Sequence, residues 1–115
     1  MSGSGRPNRH RVGGMRHRCT IQQVTETQDA SGQPVVFWTD YVENEPCDYL
    51  PRSAYEGARG RQVEAGVTAV FIVRYRSGYN EKMSVVFDSE RYGITSIQKV
   101  DGLNKYLELS GSNLP

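Results

Sequence analysis

Apolar and polar positions alternate along most of this chain, and the clearest stretch is Thr68–Arg76, TAVFIVRYR. It contains neither Gly nor Pro and is rich in β-branched and aromatic residues, which predicts a strand. Ala69, Phe71, Val73 and Tyr75 fall on one face; Thr68, Val70, Ile72, Arg74 and Arg76 fall on the other. The first face is apolar, and the second is apolar in the middle and cationic at its end. A strand with two apolar faces at its centre needs cover on both sides, from the core on one and from a packed loop or a neighbouring subunit on the other.

The remaining pattern supplies partners for this strand. Arg16–Thr25 alternates as a first strand, and Glu26–Pro34 carries the turn residues Asp29, Ser31, Gly32 and Pro34. Val35–Val42 is a second strand, with Trp38 as a core anchor. Glu43–Pro46 interrupts it, and Cys47–Leu50 resumes it beyond a kink or bulge. After a turn at Ser77–Asn80, Lys82–Phe87 places Met83, Val85 and Phe87 on one face. Arg91–Val100 places Tyr92 and Ile94 together, while Ile97 is out of phase and predicts a bulge. Asp101-Gly102 is a turn signal, Lys105–Ser110 a last strand, and residues 111–115 a frayed end.

Pro51–Gly66 breaks the alternation. It has three glycines and the cations Arg52, Arg59 and Arg61, and little to bury. A short helix fits around Ser53–Arg59, with Ser53 and Glu56 spaced as a capping box. Loops of this length inside a small domain are usually functional. The prediction is an all-β fold, a small antiparallel barrel or sandwich of about six strands, with one long loop at 51–67 and at most a short helix.

Composition adds an asymmetry. The chain has 115 residues, one domain's worth, and a formal net charge of +1. Residues 1–18 hold five arginines and no acid, leaving the rest at nine bases against 13 acids. The mildly acidic body argues against a nucleic-acid binder with a basic folded face. Residues 1–15 read as a flexible basic arm. They are either a solvated leader, with Met15 a second start, or a segment whose Arg6, Arg9 and Arg11 contact a partner subunit or phosphate. No apolar run suits a membrane span or a signal peptide, so the expectation is a cytoplasmically made protein with no membrane contact. Cys19 and Cys47 are expected as buried thiols. His10, His17 and the two cysteines match no zinc spacing, so no metal or cofactor is expected. No phosphate-binding loop, nucleophile elbow or acid–base constellation is present, which speaks against an enzyme.

Met15–Gln22 opening a strand, then Asp29-x-x-Gly32-Gln33, Trp38, Glu64-Ala65, Ile72–Arg76, Tyr92-Gly-Ile94-x-x-Ile97 and Tyr106–Leu109 together resemble the tailed-phage head–tail joining proteins, also called head-closure, stopper or adaptor proteins. The similarity covers roughly residues 15–110. It departs at Glu45–Tyr49, where the family has a tryptophan-containing segment, and at Gly60-Arg61-Gln62, where it has Gly-x-Glu. The resemblance implies a structural virion protein at the neck. It would form a ring of six copies by preference, or twelve, between the portal or adaptor ring and the tail terminator or tube. Such a ring closes the DNA exit channel after packaging and then offers the docking surface for the tail. The 51–67 loop would face the channel, with Arg52, Arg59 and Arg61 near DNA and Arg74 and Arg76 among the subunit contacts. The alternative is a nucleic-acid-binding barrel of OB type, which would need exposed stacking aromatics beside cations.

Overall fold

The computed structural model describes residues 15–59 and 64–114. Six strands close into an antiparallel barrel in the order β1-β2-β3-β6-β5-β4. They are β1 His17–Gln28, β2 Pro34–Pro51, β3 Ala69–Arg74, β4 Ser84–Phe87, β5 Glu90–Lys99 and β6 Tyr106–Asn113. One helix, α1 Arg52–Arg59, follows β2, and a 3₁₀ turn at Val100–Gly102 follows β5.

The expected faces of β3 hold. Ala69, Phe71 and Val73 are buried in the barrel core with Ile21, Val85, Ile94, Leu107 and Leu109. Phe71 is the hub, its ring centroid 5.4 Å from that of Tyr49, 5.6 Å from Phe87 and 5.1 Å from Tyr92. Truncating such a fully buried ring to alanine costs about 3–5 kcal/mol. The opposite face is covered from within the chain: Val70 packs with Tyr55, Val67 and Leu50. The packed-loop alternative is therefore the one observed on that face, and no neighbouring subunit is needed to cover it.

Register shifts accommodate the residues that break alternation. Cys19 lies opposite Glu45, Ile21 opposite Val42 and Gln22 opposite Asp40. β2 thus carries extra residues on both sides of Val42, with Asn44 at φ 58°. Of the kink or bulge expected at Glu43–Pro46, the bulge is what forms: the segment stays in the strand, and β2 runs unbroken for 18 residues. The out-of-phase Ile97 does mark a bulge, between Ile94 and Ser96. The last strand extends past its expected end to Asn113. Gly111 pairs with Ala69 on one side and Ile94 on the other, so this segment is fixed by two neighbours instead of fraying.

The register also sorts the two ends of the barrel. α1, the Asp88-Ser89 turn, the start of β1 and the end of β6 lie at one end. At the other, β3 finishes in Arg74 opposite Tyr106, and β5 finishes in Lys99 opposite Leu107. From that same end the β1–β2 hairpin continues outward. β4 pairs with β1 only at Thr20–Gln22 and β3 pairs with β2 only at Cys47–Pro51, so residues 23–39 form a two-stranded ribbon with no further strand beside it. The ribbon is about 20 Å long at the usual rise per residue.

Candidate assembly surfaces

The helix end is fastened at its base. Pro51 leads the chain off the barrel, and the Arg52 amide donates to the Thr68 carbonyl at 3.0 Å. The Arg52 guanidinium donates from Nη1 to the carbonyls of Glu64 (3.1 Å) and Val67 (3.0 Å), and its Nε lies 3.4 Å from Glu56 Oε2. Tyr55 donates its hydroxyl to buried Glu108 Oε1 at 2.9 Å. The short helix expected around Ser53–Arg59 is present but begins one residue earlier, at Arg52. Ser53 is thus inside the first turn and not its cap. Arg52 is a clip that joins the two ends of the 52–68 segment.

The expected cation sets separate. Arg59 is the last residue of α1, and its side chain, like Arg61 and the arm residues Arg6, Arg9 and Arg11, lies outside the described residues. Arg74 is exposed at the end of β3. Arg76 turns back onto the molecule, with Nη2 3.3 Å from Oε1 of Glu45, which is only 4% exposed. The pair is at the ribbon end of the barrel, remote in topology from Arg52.

The chemistry of the interior is quiet. Cys19 and Cys47 are free and buried. A hydrogen bond to Cys47, together with burial, pushes the Cys19 thiol far above its ordinary range, which makes it a poor nucleophile. Burial pushes the Tyr92 hydroxyl up to about 12 and also raises Tyr79. His17 packs edge-on to Phe87 and Tyr49. Among the described residues no group of three His, Cys, Asp or Glu side chains could hold a metal ion, and no helix is long and apolar enough to cross a membrane.

The ribbon is the surface that sequence reading missed. Trp38 is not a core anchor: it is half-buried on the ribbon's outer face, under the Arg91 guanidinium 4.5 Å from its ring. Val24 and Val36 on that face are 47% and 61% exposed. Phe37 and Val35, on the face that continues the barrel interior, are 43% and 38% exposed. Residues 23–43 contain the acids Glu26, Asp29, Asp40 and Glu43 and no Lys or Arg. That charge run, together with alternation continuing through Thr27 and Val35, was the available signal.

These features belong to a known family. The sequence matches the phage head completion protein family over residues 11–111, and the chain is a member of it. It is a structural phage protein of the head, as the resemblance at the sequence level implied. The fold is similar to the solution structure of protein SF1141 from Shigella flexneri 2a, at 19% identity and TM-score 0.64, covering 90% of this chain and 96% of that one. It is also similar to a chain in the virion of a native gene transfer agent particle, at 15% identity and TM-score 0.56, covering 86% and 94%. No curated protein matches significantly.

Proposed function

We propose that this protein forms a ring at the neck of the virion, closes the DNA exit channel after packaging and presents the docking surface for the tail. The portal or adaptor lies on one side of the ring and the tail terminator or tube on the other. Six copies fit this reading best. Membership of the head completion family supports the setting. The observation that carries the channel role is the way the 52–68 segment is held. Arg52 clips the start of the segment to Glu64, Val67 and Thr68 just before β3, and Tyr55 fastens it to β6, while Arg59 and Arg61 follow Arg52 and Tyr55 in sequence. The segment is therefore anchored at both ends on a rigid barrel, and the two cations between its anchors are suited to DNA phosphate. Arg52 is withdrawn from that role, because its guanidinium is spent on the clip. The second reading, a free-standing nucleic-acid-binding barrel, loses support because Tyr49, Phe71, Phe87 and Tyr92 pack against one another in the barrel core.

The test is a particle assay in the producing host. Arg59→Glu with Arg61→Glu should leave the protein folded and incorporated, but yield heads that package DNA and then lose it. Deletion of the gene should give free tails beside tailless, emptied heads. Full, tailed particles from either strain would overturn the closure role.

A further inference from the structure

We propose that the β1–β2 ribbon of one copy docks on the cationic rim of the next copy, formed by Arg74, Lys99, Leu103 and Lys105. The proposal rests on the ring reading and assigns its subunit contact.

The ribbon needs a cover. A lone two-stranded ribbon is marginal in water, and this one exposes apolar side chains on both faces, together with free backbone edges along residues 23–28 of β1 and 34–43 of β2. The barrel itself has no open edge, since each strand pairs on both sides. The chemistry of the cover is set by Glu26 and Asp29 in the ribbon and Asp40 and Glu43 at its root, with no Lys or Arg within residues 23–43, although Arg91 of β5 lies over Trp38. It should be cationic with an apolar centre.

The rim has that character, with Asp101 the one acid between Lys99 and Lys105. Arg74, Lys99 and Lys105 are exposed, and none makes an ion pair among the described residues. Leu103 stands between Lys99 and Lys105 in sequence and is 55% exposed. The β3–β6 and β5–β6 registers bring Arg74, Tyr106 and Lys99 to one end of the barrel. Glu26 and Glu43 likewise have no ion-pair partner among the described residues, so the two charge sets of one molecule do not satisfy each other. Ribbon and rim are different patches, so in the ring each copy gives its ribbon to one neighbour and its rim to the other, a head-to-tail contact; the alternative, a reciprocal pair, would stop at two copies. Repeated contacts of this kind close into a ring when the rotation permits. Opposed charges across the contact also fix its register and disfavour wrong pairings.

The test uses full-length protein in assembled particles. Thr27→Cys with Lys105→Cys, treated with a flexible bifunctional thiol reagent, should give a ladder of multiples of the chain on a denaturing gel; neither single variant should extend beyond pairs. Glu26→Lys with Glu43→Lys should lower the yield of tailed particles about tenfold or more, as like charges facing across an interface do. Adding Lys99→Glu and Lys105→Glu to the same chain should restore most of it. Rings visible in particles, but no ladder and no effect of charge reversal, would overturn the ribbon contact and leave the ring reading standing. Cross-linking of the Thr27→Cys variant to a different head or tail protein would also overturn it. A single copy per particle would remove both.

Discussion

Asp29 organises the tip of the ribbon with one carboxylate oxygen, which accepts from the Ser31 amide at 2.9 Å, the Ser31 hydroxyl at 2.8 Å and the Gln33 amide at 3.0 Å. Gly32, at φ 86°, supplies the left-handed step that completes the turn. The Ser31 hydroxyl and then the Gln33 amide hold the Asp29 carboxyl below the usual aspartate range. A depressed carboxyl contributes order above its unfolded value and loses it as pH falls through the lowered one. The amide resonances of Ser31 and Gln33 should therefore titrate with a midpoint below that of an ordinary aspartate. The global melting temperature should barely respond, because the group is fully exposed. A midpoint at or above the ordinary value would show that the turn is not held this way. This turn was legible from Asp29-x-x-Gly32 because its chemistry is local. Trp38 was not legible. A lone tryptophan suits a core, but whether a strand position faces a core or solvent depends on which strands flank it, and beyond Gln22 neither β3 nor β4 flanks the β1–β2 pair.

At the scale of elements, α1 and the ribbon are both additions to the barrel, with opposite relations to its stability. The helix covers Val70 and satisfies Glu108, so it belongs to the folded unit. Tyr55→Phe removes a donor to a buried carboxylate and should cost about 1–3 kcal/mol, read as a drop of several degrees in the thermal unfolding midpoint. An unchanged midpoint would mean that water replaces the hydroxyl. The sequence could not reveal this contact, which joins residues 53 apart. What it offered was a capping-box spacing, and the chain instead enters the helix directly from Pro51. Replacing residues 25–37 by Asn-Gly, so that Val24 and Trp38 flank a two-residue turn, should leave the midpoint within a few degrees of the parent. Those residues pair in the ladder only with one another, the Thr25–Thr39 hydroxyl contact at 2.7 Å being the one side-chain bond lost to the rest of the described chain, and Asn-Gly suits the tight turn that joins directly opposed positions. Collapse of folding would show that the ribbon is needed to form the barrel. The bulges divide along similar lines. Ile97 betrayed its bulge because an apolar residue fell out of phase. Glu43–Pro46 left a kink and a bulge both open, because polar residues and a proline read as a break of either kind. They are accommodated by Asn44 at positive φ and by Arg76, which meets the buried Glu45 carboxylate.

At the scale of the molecule, the alternation of β3 and the short apolar strands after it were enough to predict a small antiparallel barrel or sandwich of about six strands. Closure was the undetermined part. It depends on β4 meeting β1 and on β6 lying between β3 and β5, pairings between distant segments that no local pattern encodes. The same pairings explain the end of β6, where Gly111-Ser112 has poor strand propensity yet is fixed from both sides. Gly111 is also where strands approach closely: a Cβ there would lie 3.0 Å from that of Tyr92. Closure has a mechanical consequence as well. A sheet with a free edge yields to tension by peeling, one hydrogen bond at a time. Here β1 is flanked by β2 and β4, and the C-terminal β6 by β3 and β5. A pull on either terminus must therefore shear two ladders at once, loading many bonds in parallel. For a small part of a container that holds its contents against force, that is resistance obtained from connectivity, without a disulfide.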